Sequence, residues 1–122
     1  MRVLLADDQS DVRFALRTLL EREPGVQVLG EAVGSEVLLG QMKVDCPDLV
    51  LLDWALPGMA GDELLLILRA ACPDVSVVVL GGQPEAGVRR AVLDAGADAY
   101  VSKTDPPEQL LAAIKSVRPE EV

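Results

Sequence analysis

Leu49-Val50-Leu51-Leu52-Asp53-Trp54-Ala55-Leu56-Pro57-Gly58 is the stretch that decides how this chain folds. Four branched apolar residues run without alternation, the pattern of a strand buried on both faces, as in a parallel sheet. They stop at a carboxylate, Asp53, and Pro57-Gly58 marks a turn beyond it. The chain does the same thing earlier, where Val3-Leu4-Leu5-Ala6 runs straight into Asp7-Asp8. In open parallel sheets the carboxyl ends of strands are where sites are built. Two acidic strand ends therefore weigh against an Asp that merely begins a turn.

Working outward, short apolar runs recur at 3–6, 26–31, 49–52, 75–80 and 99–101. Between them the spacing turns helical. Val12, Leu16, Leu19 and Leu20 share one face, with Ser10 expected as N-cap. Ser35 is expected to cap a second helix carrying Leu38, Leu39 and Met42. Asp62 and Glu63 suit the first turn of a third, whose inner face is Leu64, Ile67, Leu68 and Ala71. Pro84 opens a fourth, with Val88, Ala91, Val92 and Ala95 inward, Gly87 weakening it and Gly96 as its stop. Asp105-Pro106-Pro107-Glu108 resembles a capping box ahead of Leu110, Leu111, Ile114 and Val117. Five strand–helix units predict an α/β fold, a five-stranded parallel sheet with helices on both faces. Residues 1–117 form this domain, and 118–122 read as a tail or the start of a linker.

The 122 residues suit one domain, and half of them are hydrophobic with only three aromatics, so the core is aliphatic. A net charge of −9 argues against direct nucleic-acid binding, which needs a basic patch. With no histidine, His-based catalysis and His-based metal sites are excluded. Nothing in the sequence approaches the roughly 20 apolar residues that span a bilayer, and the start lacks a signal peptide's pattern. Cys46 and Cys72 each sit in a Cys-Pro-Asp tripeptide rather than a C-x-x-C pair. The simplest expectation is a reduced, cytoplasmic chain, with the two tripeptides as equivalent helix-to-strand turns at the pole opposite the acidic loops.

With strand order 2-1-3-4-5, strands one and three are neighbours and Asp7, Asp8 and Asp53 converge. Clustered carboxylates resist ionising together unless one is protonated or a cation binds. All-oxygen ligands select a hard divalent ion, best Mg²⁺. Lys103, just past strand five, is either a structural ion pair or a clamp for an incoming anion. A carboxylate nucleophile, a hard cation and a lysine are the parts needed to accept a phosphoryl group, and an ionised carboxylate needs no general base.

Asp7-Asp8, Asp53 with Leu56-Pro57-Gly58-Met59-Ala60-Gly61, and the run from Ala95 to Lys103 together resemble a response-regulator receiver domain of two-component signalling. The resemblance implies a flavodoxin-like (βα)5 fold and the strand order above. It implies Asp53 as phospho-acceptor, Asp8 as a direct Mg²⁺ ligand, Asp7 helping through water, and the Ala55 backbone carbonyl as a further ligand. Lys103, with Ala55, Gly81 and Gly82, would contact the phosphoryl oxygens. Tyr100 matches the aromatic that changes rotamer on activation. The donor would be a phosphohistidine on a sensor histidine kinase. The wording around Asp53 and Lys103-Thr104 is most similar to regulators with a C-terminal helix-turn-helix DNA-binding domain. Transcription regulation and a homodimer on phosphorylation are the corresponding expectations. Such a domain is no enzyme in the ordinary sense, catalysing only its own phosphoryl transfer and dephosphorylation.

Two positions depart from the family. Where it has Ser or Thr after strand four, this chain has Gly81-Gly82, so the hydroxyl that contacts the phosphoryl group is missing. Where it has Lys-Pro, commonly cis, this chain has Lys103-Thr104. The first departure raises an alternative, a receiver-like interaction module whose output does not depend on phosphate. A flavin site is disfavoured because Ala6-Asp7-Asp8-Gln9-Ser10 is acidic. A phosphatase is disfavoured because Gln9 stands where a second Asp is wanted.

Overall fold

Alternating inward and outward side chains along β1 (Arg2–Ala6), β3 (Leu49–Asp53) and β4 (Ser76–Gly81) divide the interior into two cores. The computed structural model describes residues 1–82 and 86–118. The remaining elements are α1 (Ser10–Glu21), β2 (Gln27–Ala32), α2 (Ser35–Val44), α3 (Gly61–Ala71), α4 (Ala86–Asp94), β5 (Ala99–Ser102) and α5 (Pro107–Val117). All strand pairs are parallel, in the order β2-β1-β3-β4-β5. Leu4, Val50, Leu52, Val77 and Val79 face α2, α3 and α4. Val3, Leu5, Leu49, Leu51, Val78 and Leu80 face α1 and α5. Every residue of β3 and β4 is buried, which is why those strands show no alternation in sequence. β2 is an edge strand and alternates instead.

The expected α/β architecture is therefore the observed one, but several local expectations are corrected. Ser10 and Ser35 are the first helical residues, not caps; Gln9 and Gly34 hold the cap positions, with no side-chain cap bond. The Ser35 N–H instead donates to the Pro57 carbonyl at 2.9 Å, tying the β3–α3 loop to α2. The capping box is not formed at α5, whose cap is Pro106; the Asp105 carboxylate turns back and accepts the Ser102 N–H at 3.0 Å. In α3 the buried residues are Leu64, Leu65 and Leu68, while Ile67 lies at the surface, so the inner face is rotated from the expected one. Ala91 of α4 is likewise exposed. Gly96 does end α4, at φ 111°, a backbone angle that favours glycine. Pro84 and most of the tail, 119–122, lie outside the described residues.

The cysteines require the largest correction: Cys46 and Cys72 form a disulfide. The two Cys-Pro-Asp turns do lie at the amino-terminal pole of the sheet, as expected. They precede β3 and β4, which pair directly, with Leu49 opposite Ser76 and the Ser76 N–H donating to the Asp48 carbonyl. Adjacent parallel strands thus bring two turns that are 26 residues apart to a Cα–Cα distance of 5.7 Å, within disulfide reach. The thiol argument for a reducing compartment no longer holds. Among the described residues no helix is long and apolar enough to cross a membrane.

Candidate functional site

The parallel register delivers the acidic residues to one place. Ala6 pairs with Leu52, so Asp7 and Asp53 emerge side by side at the carboxyl end of the sheet. Carboxylate oxygens of Asp7, Asp8 and Asp53 lie within 4.8 Å of one another. Asp7 and Asp53 are buried and Asp8 is exposed, so the cluster is a pit with one open wall. Asp7 is fixed on all sides. Its N–H donates to the Ala32 carbonyl, its Oδ1 accepts the Gln9 N–H at 2.9 Å, and its carbonyl accepts from Arg13. Asp53 Oδ1 accepts the Ala55 N–H at 3.1 Å, which leaves Oδ2 turned to the lysine.

Lys103 reaches into the pit, with Nζ 2.7 Å from Asp7 Oδ2, 3.4 Å from Asp53 Oδ2 and 3.3 Å from Gln9 Oε1. Its backbone is held without a proline. The Lys103 N–H donates to the Gly81 carbonyl at 2.7 Å, and Ser102 Oγ accepts the Thr104 N–H. Among the described residues no peptide bond is cis, so Lys103-Thr104 is trans. Burial pushes the Asp53 carboxyl above its usual range, and Asp7 adds to this; Ala55 and Lys103 oppose it without cancelling it. Burial draws the Lys103 ammonium down, but Asp7 and Asp53 together carry it above its ordinary value.

One ammonium does not balance three carboxylates. Asp7 Oδ2 is buried, and its near partner is the Lys103 ammonium at 2.7 Å. A buried carboxylate oxygen so placed, in a set of donors made only of oxygen, fits a hard divalent cation.

Beside the pit, a cavity of about 210 Å³ is lined by Asp53, Ala55, Gly81, Gly82 and Tyr100, among others. The expected site residues are thus brought together, Gly81, Gly82 and Tyr100 on one flank and Lys103 on the other. Trp54 packs on the start of α3, where a Cβ at Gly61 would come within 2.5 Å of its ring. Met59 is half-buried against the same core, as a gap-filler would be. Two participants escaped the sequence reading. Gln9 stands out in the sequence only as the place where a second Asp is wanted, yet its amide oxygen accepts from Lys103 at 3.3 Å. Arg89 of α4 stands 5.4 Å over the Tyr100 ring, a contact with no sequence signal.

Residues 3–115 match the family described as the response regulator receiver domain. The chain belongs to that family. It is 34% identical over 117 residues to the response regulator UvrY of Escherichia coli (strain K12), covering 96% of this chain and 54% of that protein. It is 36% identical over 118 residues to the phosphate regulon transcriptional regulatory protein PhoB of Klebsiella pneumoniae, covering 95% and 51%. The receiver chain thus spans about half the length of these curated relatives. Among solved structures, the isolated REC domain of RcsB from Salmonella enterica serovar Typhimurium, in the presence of phosphomimetic BeF3−, superposes with a TM-score of 0.90. The two are 27% identical, with 99% of this chain and 90% of that chain covered.

Proposed function

We propose that this receiver is a phospho-accepting switch in which Asp53 takes a phosphoryl group from a phosphohistidine on a sensor histidine kinase. The observation that carries the reading is the placement of Asp53 Oδ2, in a buried pit between the ammonium of Lys103 and the carboxylates of Asp7 and Asp8. Asp53 attacks phosphorus as the P–N bond to the donor breaks, and the new P–O bond makes an aspartyl phosphate. The Ala55 N–H holds the non-attacking oxygen, so the carboxylate presents one oxygen outward. Lys103 already faces that oxygen and is placed to follow charge onto the phosphoryl group.

Asp7, Asp8 and Asp53, with the Ala55 carbonyl, would hold Mg²⁺, which supplies neutralisation of the phosphoryl oxygens. Ala55, Gly81 and Gly82 line the cavity in which those oxygens would sit. The only chemistry assigned to the domain is its own phosphorylation and dephosphorylation.

The output we place on a C-terminal helix-turn-helix effector and transcription. Support comes from relatives named as transcriptional regulators and from RcsB, solved bound to promoter rprA. Dimerisation on phosphorylation and a cytoplasmic setting belong to the same reading. Nothing among the relatives favours the phosphate-independent module. Incubation with labelled acetyl phosphate and Mg²⁺ tests the proposal: wild type should label, and Asp53→Asn should not. Equal labelling of both proteins would refute it.

A further inference from the structure

Gly81 leaves a space, and the structure shows what fills it. A Cβ built on Gly81 would lie 2.0 Å from the Tyr100 hydroxyl and 2.6 Å from its nearest ring carbons. Any side chain at 81 and this placement of Tyr100 are therefore mutually exclusive. The phenol oxygen occupies space that a side chain at 81 would otherwise fill. The ring is 3% exposed, and Arg89 lies against it from α4. The hydroxyl thus arrives from β5 rather than from β4, on a side chain clamped between the sheet and a helix. Tyr100 lines the same cavity as Asp53.

We infer that Tyr100 is a phosphoryl ligand in this chain: its hydroxyl donates a hydrogen bond to an oxygen of the group carried by Asp53, replacing the side chain that Gly81 lacks. This rests on the reading of Asp53 as phospho-acceptor. A phenol can donate one hydrogen bond while accepting others, so the role is compatible with other contacts of the hydroxyl. Hydrogen bonds to charged oxygens are the strong ones, and a buried donor is already oriented. Carrying the donor on β5 also changes what the contact couples to. A hydroxyl on 81 would link the phosphoryl group to β4, whereas Tyr100 links it through its ring to Arg89 and hence to α4.

The test is beryllium trifluoride binding with Mg²⁺, followed by ¹⁹F NMR on four proteins: wild type, Tyr100→Phe, Tyr100→Ala and Tyr100→Ala/Gly81→Ser. Thermal melts of each establish that the fold is kept. Tyr100→Phe removes only the hydroxyl and should weaken binding on the order of tenfold or more. The double variant Tyr100→Ala/Gly81→Ser returns a hydroxyl from residue 81 with the clashing ring gone, and should bind several-fold more tightly than Tyr100→Ala alone. Tyr100→Phe binding like wild type would overturn the inference while leaving Asp53 as acceptor. A loss that Gly81→Ser fails to rescue in the Tyr100→Ala background would also overturn it, because the hydroxyl would then be structural. No binding by wild type would remove the phospho-acceptor reading and this inference together.

Discussion

Reducing the Cys46–Cys72 disulfide should lower stability by an amount the structure specifies. The bond closes a loop with a sequence separation of 26. Releasing it returns roughly 12 cal/mol/K of chain entropy to the unfolded state, or ~3.5 kcal/mol at 25 °C. Little is lost from the native side. Cys46 is exposed, and Cys72, 2% exposed, stays buried as a small apolar thiol. At roughly 4 °C per kcal/mol for a domain of this size, the melting temperature should fall by about 14 °C. The assay is urea unfolding followed by far-UV circular dichroism, with and without a phosphine reductant, beside Cys46→Ala/Cys72→Ala. The reduced protein should show a lower midpoint and a steeper slope, because the uncrosslinked unfolded chain exposes more surface. The five residues of β3 separate the disulfide from Asp53 by about 17 Å of strand, at ~3.3 Å each, so Asp53 labelling should be unchanged. Equal midpoints in the two conditions, or two titratable thiols in the native unreduced protein, would refute the reasoning.

The acidic pit should be under strain from its own charge. In chelator, Asp53→Asn should melt higher than wild type, and Mg²⁺ should raise wild type more than the variant; an equal response to the metal would count against the cluster as its site. Gly81→Ala should cost about 1–3 kcal/mol, because its Cβ would meet the Tyr100 hydroxyl and ring. An unchanged urea midpoint would show that Tyr100 moves aside freely. Glu31 accepts from Arg17 and Arg13, and the Arg17 bond chiefly holds its carboxyl below the usual range. Glu31→Gln should therefore cost up to about 1 kcal/mol at pH 7. That cost is present above the unfolded value near 4.3 and fades as pH falls through the lower folded value. A difference in urea midpoint that persists at pH 2.5 would contradict it.

What could be read from the sequence was what burial alone dictates. β3 and β4 announce themselves because both faces are covered, and Asp7, Asp8, Asp53 and Lys103 because charge at the end of such a strand has little structural excuse. Helix starts were less legible. Ser10 and Ser35 have the right chemistry for caps, but one residue decides between cap and first turn, and the Pro57 carbonyl claims the Ser35 N–H. The α3 face turns on whether Leu65 or Ile67 points inward, and both are apolar. The Cys-Pro-Asp echo was visible, but its meaning was not, because adjacency of β3 and β4 is a property of the sheet and not of a 26-residue spacing. Gly81 shows as a missing hydroxyl; that Tyr100 fills the space beside it needs three dimensions.

The pit also limits how its message can travel. Three carboxylates and one ammonium leave the mouth two charges negative, so a bound divalent ion would bring it to neutrality. A phosphoryl dianion that replaces one carboxylate charge then changes the total by a single unit. Across solvent at physiological salt the field of such a change is screened within about 8 Å. A remote surface reached through solvent would sense little of that field. On the proposed reading, groups that abut the cavity wall are the better carriers. In this chain Val88 of α4 lines that cavity directly, and Tyr100, which also lines it, lies under Arg89 of the same helix.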